Sequence, residues 1–361
     1  MDCPHIPELG YGEFSKRLHE KVAGQRLPIS GTLEVTYCCN VRCIHCYVGD
    51  ARFNVSPRPE LSYGEICRIL DEIADEGCLW LLLTGGEPFT RSDFLDIYTY
   101  AKRKGLLLTV FTNGTLLTPA IVDYLREWPP FATEITLYGY TQETYERITG
   151  IPGSHARCMR GVELLLDRGI PLRLKTVAMK ENIHELNALK SFAEGLGVQF
   201  YFDPMVHGTL DHHHGPVEQR LTAAEIVALD MADSKRREAW KRLYETTLST
   251  HIDSQARYAC GAGMNAFVID PYGYLGLCMI SRGPGYDLRQ GSFAEGWRVA
   301  IPAERERPAS LDQVCAECGL RLFCGQCPGW SLCENGTEDQ HTDFLCQLAH
   351  LRIASLELSQ R

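Results

Sequence analysis

The stretch Thr32-Leu33-Glu34-Val35-Thr36-Tyr37-Cys38-Cys39-Asn40-Val41-Arg42-Cys43-Ile44-His45-Cys46 is an apolar, β-branched run that ends in four thiols. Counted from Cys39, the spacing is C-x3-C-x2-C. Three soft ligands on one short loop can hold three irons of a cubane cluster and leave the fourth without a protein ligand. An open iron implies chemistry at the metal rather than electron storage alone. Counted from Cys38, the spacing is C-x4-C-x2-C, the plant-type ferredoxin arrangement. Zinc is a third option wherever thiolates gather. The spacing by itself leaves all three open.

Composition narrows the setting. The chain has 361 residues, 45% hydrophobic and 23% charged, which fits an ordinary globular protein of two domains. No apolar run is long enough for a membrane span. The N-terminus lacks the basic-then-apolar order of a signal peptide. A cytoplasmic location is therefore expected. A net charge of −10 argues against nucleic acid or an anionic membrane as partner. In a reducing compartment, sixteen cysteines point to metal or catalysis rather than disulfides. Four of them lie between Cys38 and Cys46 and eight from Cys260 onward, so two thiol-rich regions flank a thiol-poor middle.

Working outward, short apolar runs at 33–37, 79–83, 106–111, 135–138, 172–177 and 198–202 predict strands. Between them lie helical patterns: Ile66, Ile69, Leu70 and Ile73 share a face, as do Phe94, Ile97, Tyr98 and Ala101. Six strand–helix units predict a parallel sheet, either doubly wound or an incomplete barrel, with the reactive loops at the carboxyl ends of the strands. The thiol loop follows the first strand, where such a site belongs. Residues 206–257 read as a bridge, with a solvated loop around His212, His213 and His214 and a charged helical stretch at 225–246.

The second run ends in Thr84-Gly85-Gly86-Glu87-Pro88. Two glycines at a strand end let the backbone approach a ligand closely. Together, the cysteine triplet and this loop resemble the radical S-adenosylmethionine (SAM) enzymes. That resemblance implies a partial (β/α)6 barrel in the α/β class. It also implies a 4Fe–4S cluster on Cys39, Cys43 and Cys46, whose open iron chelates the amino and carboxylate groups of SAM. Gly85, Gly86 and Glu87 occupy the segment that lines the methionyl amino group. His45 stands where the family has an aromatic ring near the adenine. Asn113 matches the ribose-side motif, and Thr136 the family's Ser-Leu segment. Arg147 is placed to clamp a carboxylate in bidentate fashion. Read without the resemblance, Asn113, Thr136 and Arg147 are equally turn, strand and surface-helix residues. Cys38 falls outside the family spacing and reads as a small buried residue.

A second constellation follows: Cys260, Cys278, Cys315, Cys318, Cys324, Cys327 and Cys346, with Asp270-Pro271-Tyr272-Gly273 as a tight turn between two short strands. It resembles the SPASM extension, a small Cys-rich C-terminal domain holding two auxiliary 4Fe–4S clusters. The family-like allotment puts Cys315, Cys318, Cys324 and Cys346 on one cluster, and Cys260, Cys278 and Cys327 on the other. The loop between Cys324 and Cys327 has two residues where the usual pattern has three, so Cys333 is an alternative ligand. Paired C-x2-C units also build zinc sites; seven thiolates do not divide into two four-cysteine sites, although Cys333 could supply an eighth. The expected organisation is an N-terminal extension at 1–30, the barrel at 31–205, the bridge at 206–257 and the auxiliary domain at 258–361.

The resemblance implies reductive cleavage of SAM to a 5′-deoxyadenosyl radical that abstracts a substrate hydrogen. The first expectation for substrate is a ribosomally made peptide under maturation, by thioether, carbon–carbon or oxidative chemistry. A small molecule such as a tetrapyrrole side chain comes second. Outside catalysis, the alternatives are an iron–sulfur electron carrier or a zinc-binding protein, neither of which needs the GGEP loop. Sulfatase maturases of this family carry an aspartate base after the second auxiliary cysteine; here Met279 follows Cys278, so that chemistry is not expected. An external electron donor such as a flavodoxin or ferredoxin is required. The segment before residue 31 reads as too short for a leader-binding module, so a leader peptide, if used, is expected to need a separate protein or another surface.

Overall fold

Strand β1 (Ser30–Thr36) is buried along nearly its whole length, as expected for a strand covered on both faces of a parallel sheet. In the computed structural model, which describes residues 9–49, 58–249, 257, 258, 260–308, 315 and 318–358, it sits in the middle of a nine-stranded sheet. Its neighbours in sequence follow on one side: β2 (Trp80–Gly85), β3 (Leu107–Thr112), β4 (Ala132–Thr136), β5 (Leu172–Val177) and β6 (Gln199–Asp203). All are parallel, in the order β6-β5-β4-β3-β2-β1. The order never reverses, which decides for an unclosed barrel over a doubly wound sheet.

Helix α1 (Tyr11–Val22) precedes the sheet and α2 (Tyr63–Asp75) shows how the crossovers form. Ser62 and Glu65 make a reciprocal capping box at its start. Ile66, Ile69, Leu70 and Ile73 are fully buried against the sheet, each worth about 1.5–3 kcal/mol of burial. The other crossovers are α3 (Phe94–Arg103), α4 (Pro119–Glu127), α5 (Gln142–Thr149) with α6 (Ser154–Asp167), and α7 (Leu186–Gly195). Among the described residues, no helix is long and apolar enough to cross a membrane.

Two features differ from the sequence expectation. The charged stretch after residue 220 is two helices, α8 (Ala223–Ala232) and α9 (Ser234–Ser249). The chain breaks at Asp233, whose carboxylate accepts from the Lys235 and Arg236 backbone N–H groups. Asp230, fully buried, pairs with Arg236 and with Arg352 of the helix Asp343–Leu358, which ties the bridge to the C-terminal region. The second difference concerns the hairpin at 266–276. It continues the barrel sheet: β7 (Ala266–Ile269) pairs parallel with β1, and β8 (Tyr274–Gly276) and β9 (Tyr286–Asp287) follow antiparallel. His212, His213 and His214 lie on an exposed loop, as expected of a solvated segment.

Candidate active site at the carboxyl ends of the strands

The carboxyl ends of β1 to β6 converge on a cavity of about 460 Å³. Cys39, Cys43 and Cys46 line it with His45, Gly85, Gly86, Asn113, Thr136 and Tyr138. Met279 and Ile280, next to Cys278, close it from the C-terminal side.

The thiol loop is held by backbone bonds from every side. Arg42 N–H donates to Thr149 O (2.7 Å) and Ile44 N–H to Ile148 O (3.0 Å), at the end of α5. Gly86 N–H donates to Thr36 O (2.8 Å) and Glu87 N–H to Cys38 O (2.9 Å). The glycines are required by this approach. Gly85 has φ +131°, and a Cβ on it would strike the Thr36 backbone; one on Gly86 would strike the carbonyls of Tyr37 and Cys38. The space that the sequence reading reserved for a ligand is thus taken, on this face, by the cysteine loop itself.

Asn113 lines the cavity while its side chain is engaged. Its Nδ2 donates to Asn40 Oδ1 (2.8 Å) and its Oδ1 accepts from Thr115. Glu87 lies behind the wall rather than on it. Fully buried, it accepts from Asn113 N–H (2.7 Å) and the Thr112 hydroxyl (2.8 Å). Burial pushes it up to about 7 against those bonds. Its place is therefore to tie the ends of β2 and β3 together. Arg147 is also away from the cavity: it pairs with Glu143 and Glu181 on the outer surface, half exposed. A helix arginine pointing outward finds the acidic groups of its own and the next crossover. Cys38 does not line the cavity.

Burial, with Glu87 and Cys46 adding and a backbone bond from Val41 opposing, pushes Cys39 up to about 11. Thiolates in such surroundings need a cation, which a metal supplies. His45 lies edge-on to Tyr138 (centroids 4.8 Å apart), and its Nδ1 is buried without a hydrogen-bond partner among the described residues. Burial lowers this imidazole to about 4, so it is neutral. Three thiols on one cavity and an unsatisfied ring nitrogen beside them fit a cluster with a nitrogen-rich nucleotide.

The far wall was not anticipated. Lys175 faces the cavity from β5, 3.4 Å from Glu134, which also accepts from Tyr201. Burial pulls Lys175 down to about 7. Asp203, pushed up by burial, and His207 complete this polar side. The available signal was Lys175 within the mixed run Leu172–Val177, which also carries Arg173.

The C-terminal thiols fall into two groups. Cys315, Cys318, Cys324 and Cys346 line one small cavity, and after burial it is the other three that raise Cys324, to about 11. Cys327 is pushed to about 12 by burial first, then by Cys278 and Cys260. Cys333, buried, faces Cys278 and Arg282.

Comparison with known proteins agrees with this geometry. The Radical SAM superfamily model matches residues 33–193. An AdoMet-dependent heme synthase of Methanosarcina barkeri is 28% identical over 313 residues, covering 81% of this chain and 89% of that protein. Mycofactocin maturase of Mycobacterium ulcerans is 26% identical over 315 residues, 83% of each chain. Among solved structures, Streptococcus suis SuiB bound to its precursor peptide SuiA superposes with a TM-score of 0.70 at 16% identity, covering 96% of this chain and 84% of that one. Residues 33–193 are thus matched as a radical SAM superfamily domain, and a cysteine-rich C-terminal region follows it.

Proposed function

We propose that this enzyme cleaves SAM reductively in the cavity at Cys39, Cys43 and Cys46, and uses the radical to modify a side chain of a ribosomally made peptide. The observation that carries the first part is the meeting of three thiols, the unsatisfied His45 Nδ1 and the Gly85-Gly86 edge on one cavity. Cys39, Cys43 and Cys46 would hold a 4Fe–4S cluster, which would supply the electron for reductive cleavage of SAM to methionine and a 5′-deoxyadenosyl radical. The chain's own residues do the rest. His45 and Tyr138 flank the nucleotide side, while Thr136 and Asn113 offer polar edges for the ribose. Val41, Val48, Phe111 and Val177 keep water away from a reactive carbon. The two C-terminal thiol groups are read as holding auxiliary clusters, with Cys315, Cys318, Cys324 and Cys346 on the outer one. Cys260, Cys278 and Cys327 hold the inner one, and Cys333, which feels the charge of Cys278, is the alternative ligand.

Peptide substrate is supported by relatives named as maturases and by a fold shared with a precursor-peptide complex over 96% of the chain. A second reading, a tetrapyrrole side chain, is favoured by the relatives named heme synthases, which span 81% of the chain. The test is anaerobic reconstitution, dithionite reduction and measurement of 5′-deoxyadenosine. About twelve irons per chain are expected if all three thiol groups hold cubanes. Titration with iron coproporphyrin then separates the substrates: a saturable absorbance change with mass loss on turnover supports the tetrapyrrole. Its absence, with modification of a cysteine-rich peptide encoded beside the gene, supports maturation. No 5′-deoxyadenosine from a fully loaded protein would end the reading.

A further inference from the structure

Between the two thiol regions lies a buried ion pair that the reaction does not use directly. Glu34, on β1, is fully buried, and Arg282, four residues after Cys278, is one-fifth exposed. Arg282 Nη1 donates to Glu34 Oε2 (2.7 Å) and Nη2 to Glu34 Oε1 (3.0 Å), a two-pronged pairing across 248 residues of sequence. The same carboxylate accepts from Tyr37 (3.1 Å), just before the first thiols, and from Tyr47 (3.0 Å), just after Cys46. On the other side, Arg282 Nε donates to Met279 O (2.8 Å), inside the turn where Ser281 N–H donates to Cys278 Sγ (3.2 Å). The guanidinium is thus anchored to the turn that carries Cys278. The pair is therefore a dipole with its positive end towards the inner auxiliary thiols and its negative end towards the first loop.

We propose that Arg282, held by Glu34, is a positioning residue for the inner auxiliary centre: it fixes the Cys278–Ser281 turn against β1 and makes that centre a better electron acceptor. The inference rests on the reading that Cys260, Cys278 and Cys327 hold a cluster. A buried pair that only braced the fold would affect stability and nothing else. One that aims its charge shifts the reduction potential, because added electron density is stabilised by the cation and destabilised by the anion.

The test is a dithionite titration of the anaerobically loaded holoenzyme followed by electron paramagnetic resonance. The inner centre is identified as the signal lost in C278A. At the potential where the wild-type centre is half reduced, R282M should lower the reduced-to-oxidised ratio about tenfold, equivalent to ~59 mV for one electron. R282K should match wild type, and E34Q should move the ratio the other way. Opposite signs in R282M and E34Q support the inference; no shift, or shifts of the same sign, overturn it. If R282M fails to hold its inner iron, E34Q and R282K decide. A wild-type iron count of about four, the content of one cubane, would remove the underlying reading. A full count with unmoved potentials would remove only the role of Arg282.

Discussion

The two thiol regions are built in opposite ways. Cys39, Cys43 and Cys46 sit on one eight-residue loop, and backbone bonds from α5, β1 and β2 hold that loop. The C-terminal thiols come from positions spread between residues 260 and 346, and only the folded chain gathers them. A site written into one loop can be preorganised by its strands before any metal arrives. A site assembled from distant segments depends on the metal to complete the assembly. The first arrangement suits a centre that must present an open position accurately; the second suits centres that are enclosed.

The largest test of this contrast removes the first loop's ligands. C39A/C43A/C46A should lower 5′-deoxyadenosine formation by at least about a thousandfold, ~4 kcal/mol of transition-state stabilisation, while about eight irons remain on the chain. Retention of those irons would confirm that the two regions load independently. Next comes G86A, which forces a Cβ into the carbonyls of Tyr37 and Cys38. It should cost about 2–4 kcal/mol of stability and weaken SAM binding measured by equilibrium dialysis. An unaffected Tm would show that the loop is softer than its hydrogen bonds suggest.

Glu87 gives a pH-dependent test. Its folded value of about 7 lies above the ~4.3 of an unfolded glutamate, so the folded state binds the proton more tightly. The stability this confers is complete below the unfolded value and is lost as pH rises through about 7. E87Q should therefore flatten the stability profile between about pH 5 and 7.5, by about 1–3 kcal/mol, as read by urea melts at several pH values. The smallest effect belongs to R147A. Its ion pairs lie half exposed outside the cavity, so stability should change by less than about 1 kcal/mol and SAM affinity should stay within about twofold. A large loss of affinity would restore the carboxylate clamp expected from the sequence.

Much of the barrel was legible because helical and strand periods are local. The face Ile66, Ile69, Leu70, Ile73 is buried as read, and the strand at Leu172–Val177 matches its run. The fourth strand is displaced: expected at 135–138, it spans Ala132–Thr136. Leu137 and Tyr138 are apolar because one enters the core and the other faces the cavity, not because they extend the ladder. The thiol spacing carried the first site. Glu34 with Arg282, and Lys175 with Glu134, were not legible, since a charge inside an apolar run declares burial but not its partner. The pairing of β7 with β1 escaped for the same reason: a four-residue strand has no local mark of the strand it will join.

That pairing has a practical consequence for anyone seeking a minimal catalytic fragment. Because β7 covers the outer ladder of β1, a chain cut before residue 258 would bare the hydrogen-bonding groups of the very strand that delivers the first thiols. Such a fragment should precipitate rather than behave as a free-standing barrel. The two thiol regions, so unlike in construction, are expected to melt as one cooperative unit.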